Sequence, residues 1–207
     1  MSVSLFFAAM ASLRADKGFA VCNGLQHALE ETSHSTAIAF ADGVKRMGII
    51  RVDFEDLPGT PGDTGGEFTT SRLLETVNGP VASYFEATSY GKSSVALKAS
   101  DITDVLRMPD TAEGYAKDAL LSRLTLDARR LASEAGYAIE GFDRVAVVTS
   151  SLASLPGSGV RFRATAVTGG GQSWFQGDFS ATLVANELGH NYGHEPCVFV
   201  AGPGWTG

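Results

Sequence analysis

The chain has 207 residues, 44% of them hydrophobic and 19% charged, with a formal net charge of -7. That length allows one sizeable domain or at most two small ones. The acidic balance argues against a nucleic-acid partner, which selects a basic patch, and no apolar run reaches the roughly 18 to 20 residues of a membrane span, so no membrane partner is expected.

Residues 1–43 have mixed character. The stretch "SLFFAAMASLRA" is short and apolar but lacks a basic flank before it, so it reads as a weak signal peptide or as a buried helix turn. His27 and His34 lie two helical turns apart without a carboxylate or cysteine at ligand spacing, and read as surface residues. Cys22 and Cys197 stand far apart and form no Cys-x-x-Cys pair, so they read as independent thiols.

Residues 44–54, "VKRMGIIRVDF", predict a buried strand built on Val44, Met47, Ile49, Ile50, Val52 and Phe54. The next stretch, "EDLPGTPGDTGGEFTT", holds two Pro and four Gly and predicts a loop. Its Asp53, Glu55 and Asp56 could suggest a calcium site, but a lone acidic loop is usually only solvated. After Thr70, Leu73, Val77, Val81 and Phe85 recur at helical spacing, and Pro80 predicts a kink or a fresh helix capped near Asn78. "YGKSSVALKASDI" predicts a strand with Val95, Leu97 and Ala99 on its buried face.

One long helix is expected over about 111–135. Asp110 and Glu113 form a capping-box pattern, Leu120, Leu124, Ala128, Leu131 and Ala135 form its stripe, and Gly136 ends it. "DRVAVVTSS" predicts a short buried strand. "VRFRATAVTGGGQSWFQGDF" predicts a strand, a glycine turn without a P-loop lysine, and an aromatic segment whose Trp174 and Phe175 suit a core or cleft wall. Ser150 and Ser151 lack a Gly-x-Ser-x-Gly frame. A last helix starts near Ser180. The alternation of strands and helices predicts an α/β or α+β fold, a sheet with helices packed on it.

The last helix carries "NELGHNYG". On a helix, Asn186 and His190 lie one turn apart, with Glu187 beside His190. A catalytic zinc needs three protein ligands and an open position for water, with a base to take that water's proton. Glu187 has the chemistry of the base and His190 that of one ligand; Gly189 permits close approach of a chain, and Gly193 a sharp exit from the helix.

With this motif in place, "RVDFEDLPG", "YFEATSYGK", "DARRLASEAGY", "FDRVAVVTSSL" and "GGGQSWFQGDFSATLVANELGHNYG" resemble, in the same order, the catalytic domain of gametolysin-type metallopeptidases, a metzincin group. The resemblance covers roughly 44–193. It divides the chain into an N-terminal segment (1–43), a metallopeptidase-like domain (44–193) and an atypical tail (194–207). It implies a metzincin-like mixed β-sheet with packed helices and a C-terminal active-site helix. It also implies a secreted Zn2+-dependent endopeptidase acting on a peptide or protein substrate, with Glu187 as general base and His190 as zinc ligand. Asn186 stands where the family's first histidine belongs; some members have glutamine there. An amide oxygen is a poorer zinc donor than imidazole. The family's third histidine would fall at Pro196, and His194 comes two residues early. No methionine follows the helix to form the family's methionine turn.

Three readings of this tail stay open. The chain is a truncated or frame-shifted protease, or a degenerate protease kept as a binding module. Or Glu187, His190 and His194 form a rearranged metal site, if the helix continues through Gly193. In such proteases the strand before the active-site helix pairs with extended substrate by backbone augmentation, which marks 163–168, and within it Ala164, Ala166 and Thr168, as the substrate-binding edge.

Overall fold

The computed structural model describes residues 42–193, together with the backbone of 19–21 and 198–200. In chain order the elements are β1 (Phe19–Val21), β2 (Gly43–Asp53), the small hairpin β3 (Gly62–Asp63) and β4 (Gly66–Glu67), α1 (Thr70–Thr76) and α2 (Ala82–Thr88). Then come β5 (Ser93–Ala96), β6 (Ile102–Arg107), α3 (Ala112–Ala116), α4 (Ser122–Glu134), β7 (Arg144–Thr149), β8 (Ala164–Ala166), β9 (Gln172–Gln176), α5 (Ala181–Asn191) and β10 (Val198–Val200). The backbones of β1 and β10 pair antiparallel.

The main sheet is mixed and mostly parallel, as the alternation of strands and helices predicts. β2 pairs in parallel with β7 along one side. Along the other it pairs with β5 and then, further up, with β6. β7 pairs in parallel with β9, and β8 closes the far side antiparallel to β9. Helices cover both faces, so β2 and β7 must be apolar on both sides. Met47, Ile49, Ala146 and Val148 face a core shared with α1, α2 and α5. Ile50, Val52, Val145 and Val147 face a second core shared with α3 and α4. Val44, expected in the buried strand, is 66% exposed. The partnership with β7 begins only at Met47, so the first residues of β2 lie on a sheet margin.

Pro80 kinks nothing outright. The chain runs from α1 to α2 through one π-helical turn, Val77–Val81, whose wider ring absorbs the missing donor. Asn78 does not cap a helix there. Its amide nitrogen donates to the Leu97 carbonyl and its oxygen accepts from the Leu97 N–H, both at 2.9 Å, pinning the turn to the strand side. The segment read as one strand through Ala99 ends at Ala96, and Ala99 opens a 3-10 turn at the surface. β6 follows, a strand that the apolar pattern of "ITDVLR" signals too weakly to predict.

The helix expected over 111–135 is two helices. Thr111, not Asp110, caps α3 by accepting from the Gly114 N–H at 3.0 Å. The Asp118 carboxylate then accepts from the Leu120 N–H at 3.0 Å and the Arg123 N–H at 3.1 Å. A short carboxylate competing for backbone donors in this way ends one helix and starts the next. Leu121 takes φ +53° at the break. Leu120 is therefore turned to solvent at 75% exposure, while Leu121, Leu124, Ala128 and Ala132 form the buried stripe of α4. Gly136 closes the helix at φ +89°, as its position predicts.

The acidic residues after β2 build structure. Asp53 accepts from Arg107 Nε and Nη2, both at 2.7 Å, and from the Gly59 N–H at 2.8 Å. Asp56 accepts from the N–H groups of Ala112 and Glu113 and anchors the start of α3.

Candidate functional site

The site is made where α5 runs beside β8. α5 begins after Ser180, whose N–H is held by the Asp178 carboxylate at 2.9 Å. The Ser180 hydroxyl makes no capping bond, although the residue stands at the cap position. Val184 and Leu188 fasten the helix to the core below the sheet. This orients the next face outward: Asn186 is exposed and His190 half-buried.

Glu187 sits between them in sequence and is only 5% exposed. The Asn186 amide donates to its Oε1 at 3.3 Å. Burial pushes the Glu187 carboxyl above its ordinary value; the Asn186 hydrogen bond and the nearby His190 pull the other way but do not cancel it. A carboxylate held in this state suits proton transfer better than an exposed one. The structure thus places Asn186, Glu187 and His190 in one local group.

β8 is the terminal strand of the sheet. Arg163 accepts from the Gln176 N–H at 2.8 Å and Val167 donates to the Gln172 carbonyl at 2.9 Å, so both turn their backbone toward β9. In an antiparallel ladder the direction alternates, so Ala164 and Ala166 point their backbone groups to the outer edge. Both are half-buried. Thr168 lies beyond the strand in the exposed glycine turn and not in the strand itself.

The end of α5 is tied to that turn. The Gly169 N–H donates to the His190 carbonyl at 3.0 Å. Asn191, fully buried, donates from Nδ2 to the carbonyls of Val167 and Gln172, both at 3.0 Å. Tyr192 packs its ring on Phe85 and beneath the Arg144 guanidinium, and its hydroxyl accepts from Ser93. Sequence reasoning missed Asn191 and Tyr192. Asn191 ends α5, where asparagine is an ordinary choice, so nothing local singles it out.

Two expectations are corrected here. α5 stops at Asn191, and Gly193 leaves it at φ +92° with its N–H on the His190 carbonyl at 2.8 Å. The continuous helix that would align residue 194 with Glu187 and His190 does not form; His194 itself lies outside the described residues, as do Cys22, Cys197, His27 and His34. Gly189 is buried on α5, so it is not open to an approaching chain.

The donor set tests the zinc that the motif implies. One imidazole and one amide oxygen stand a turn apart, where a catalytic zinc needs three protein ligands. Among the described residues no group of three or more His, Cys, Asp or Glu is placed to hold a metal ion. These residues alone do not fit the metal. No helix among the described residues is long and apolar enough to cross a membrane. The chain matches no family model and no curated protein sequence.

Proposed function

We propose that residues 44–193 are a gametolysin-like, metzincin-type metallopeptidase domain in an impaired form. It retains the peptide edge and the catalytic carboxylate but carries an incomplete Zn2+ site. The observation that carries the reading is Glu187, a buried carboxyl raised by its surroundings, set between Asn186 and His190 on a helix beside an antiparallel edge strand. A mixed sheet with such a helix against it is also what the motif's resemblance implies.

In this reading an extended peptide or protein segment adds to β8, using the outward backbone groups of Ala164 and Ala166, with Thr168 at the end of the edge. Glu187 is the general base: its carboxylate takes a proton from the water that attacks the peptide carbonyl and returns it to the leaving amine nitrogen as the C–N bond breaks. His190 is the retained zinc ligand, and Asn186 the weaker donor in the first ligand's place. Secretion belongs to the same reading.

The test is hydrolysis of an unfolded protein substrate by the chain and by Glu187→Ala. The reading expects slow cleavage that the variant abolishes while its far-UV spectrum is unchanged. Cleavage that persists in the variant removes Glu187 from the role.

A second reading has its own observation. The amide at 186 and the missing third donor favour a non-catalytic binding module that uses the same edge. Peptide binding without cleavage, unchanged by added zinc, would select it; cleavage by the unaltered chain would exclude it.

A further inference from the structure

We propose that Asn191 is a positioning residue that locks the peptide edge to the end of α5, so that β8 and His190 hold one fixed spacing. The inference rests on the reading of β8 as a peptide-binding edge.

Asn191 is fully buried, and both of its described partners are carbonyl oxygens, Val167 O and Gln172 O at 3.0 Å. These two carbonyls flank the turn that joins β8 to β9; the Val167 N–H also donates to Gln172 O, so Asn191 closes the same pair from the helix side. Both carbonyls already accept a backbone N–H of the turn, Val167 O from Gly170 and Gln172 O from Val167, and a primary amide of this length adds one donor from the helix to each. An aspartate would set a carboxylate against them, and a leucine would leave them without the helix. Among the described residues the amide oxygen, Oδ1, is buried without a hydrogen-bond partner. Such an orphan costs on the order of 1–3 kcal/mol. A side chain chosen for packing alone would not carry it.

The neighbouring contact gives the lock its direction. One residue earlier, the His190 carbonyl receives the Gly169 N–H from the same turn. Residues 190 and 191 therefore grip the turn at two points, one through the backbone and one through a side chain. A shift of the edge strand under a bound peptide must carry the His190 backbone with it. Groups that hold a site residue's backbone and orientation are known to change its performance by 10- to 100-fold without touching the ligand.

Amide hydrogen exchange on the metal-free full chain tests this directly. In Asn191→Ala, the protection of the Gly169 N–H should fall at least tenfold more than that of Val147 in β7, which reports on global opening. Equal losses at both amides, or no loss at Gly169, overturn the proposal. Should Asn191→Ala not fold, Asn191→Ser keeps one donor and should show the same selective loss at smaller size; equal losses there overturn it too. A second readout uses a blocked alanine-rich hexapeptide followed by NMR. In the unaltered chain the peptide should shift the signals of Ala166 and His190 together, whereas in the variant it should still shift Ala166 and leave His190 in place. A His190 shift that survives in the variant counts against the lock. A peptide that shifts neither residue in the unaltered chain counts against the peptide-edge reading, and the exchange result then decides the role of Asn191.

Discussion

Helices α4 and α5 lie on opposite faces of one sheet, and they are built to different rules. α4 turns Leu124, Ala128 and Ala132 inward and keeps its charges outside. Those charges are paired: Arg130 with Glu134 at 2.8 Å, Arg129 with Glu140 at 2.7 Å, and Arg123 with Asp110. These features of α4 serve folding. α5 buries Val184 and Leu188 in the same way, but it also buries Glu187 and Asn191. A raised carboxyl and an orphan amide oxygen are costs that packing does not require. On α5 both of these costs fall within one turn of His190.

The contrast can be broken from the α4 side first. Leu124→Ala empties a fully buried site and should cost about 2–5 kcal/mol in urea unfolding, leaving peptide binding untouched once the protein is folded. A matching loss of binding would mean that the two faces are not separable.

Asn191→Ala should come next, at about 1–2 kcal/mol, because two buried hydrogen bonds of about 0.5–1.5 kcal/mol each are lost and the departure of the orphan oxygen returns part of that. A cost below about 0.5 kcal/mol would place Asn191 among surface substitutions.

Glu187→Gln should go the other way. The folded-state value of Glu187 is raised, so the fold favours its protonated form. The contribution is present below the ordinary carboxylate value and is lost as pH rises through the folded value. The glutamine variant should therefore be more stable than the unaltered chain at neutral pH, with a flatter profile as pH rises above the ordinary carboxylate value. A stability loss at neutral pH would show that the carboxylate is structurally needed.

Asp53 has the opposite sign. Arg107 holds its carboxyl below the ordinary value, so its contribution is present above that value and lost as pH falls through the folded one. Asp53→Asn should lower stability at neutral pH, where the contribution is present, and flatten the acid limb, where the unaltered chain loses it; an unchanged acid limb would contradict this. The smallest effect belongs to Arg130→Ala, under about 0.5 kcal/mol, because both partners of that ion pair are about half exposed.

How much was legible follows the same division. β2, β7 and α4 carry strong apolar periodicity, and their existence could be read directly, as could Gly136 as a helix stop. The break at 117–121 could not, because it depends on which donors the Asp118 carboxylate reaches. β6 was missed because a strand lying on a long neighbour needs little apolar signal of its own. At the site, the spacing of Asn186, Glu187 and His190 was visible on a helical wheel. The outward direction of Ala164 and Ala166 was not, since it is fixed by the β8–β9 register. Asn191 was invisible for a plain reason: its partners, Val167 and Gln172, are 24 and 19 residues away.

The most direct test of the account is zinc affinity at neutral pH, measured by competition titration for the unaltered chain, Asn186→His and His190→Ala. The account predicts weak binding in the unaltered chain, at least tenfold tighter binding when an imidazole replaces the amide at 186, and no site-specific binding without His190. Equal affinity in all three would place any zinc elsewhere and contradict the assignment of α5 as the remnant of a metal-bearing helix.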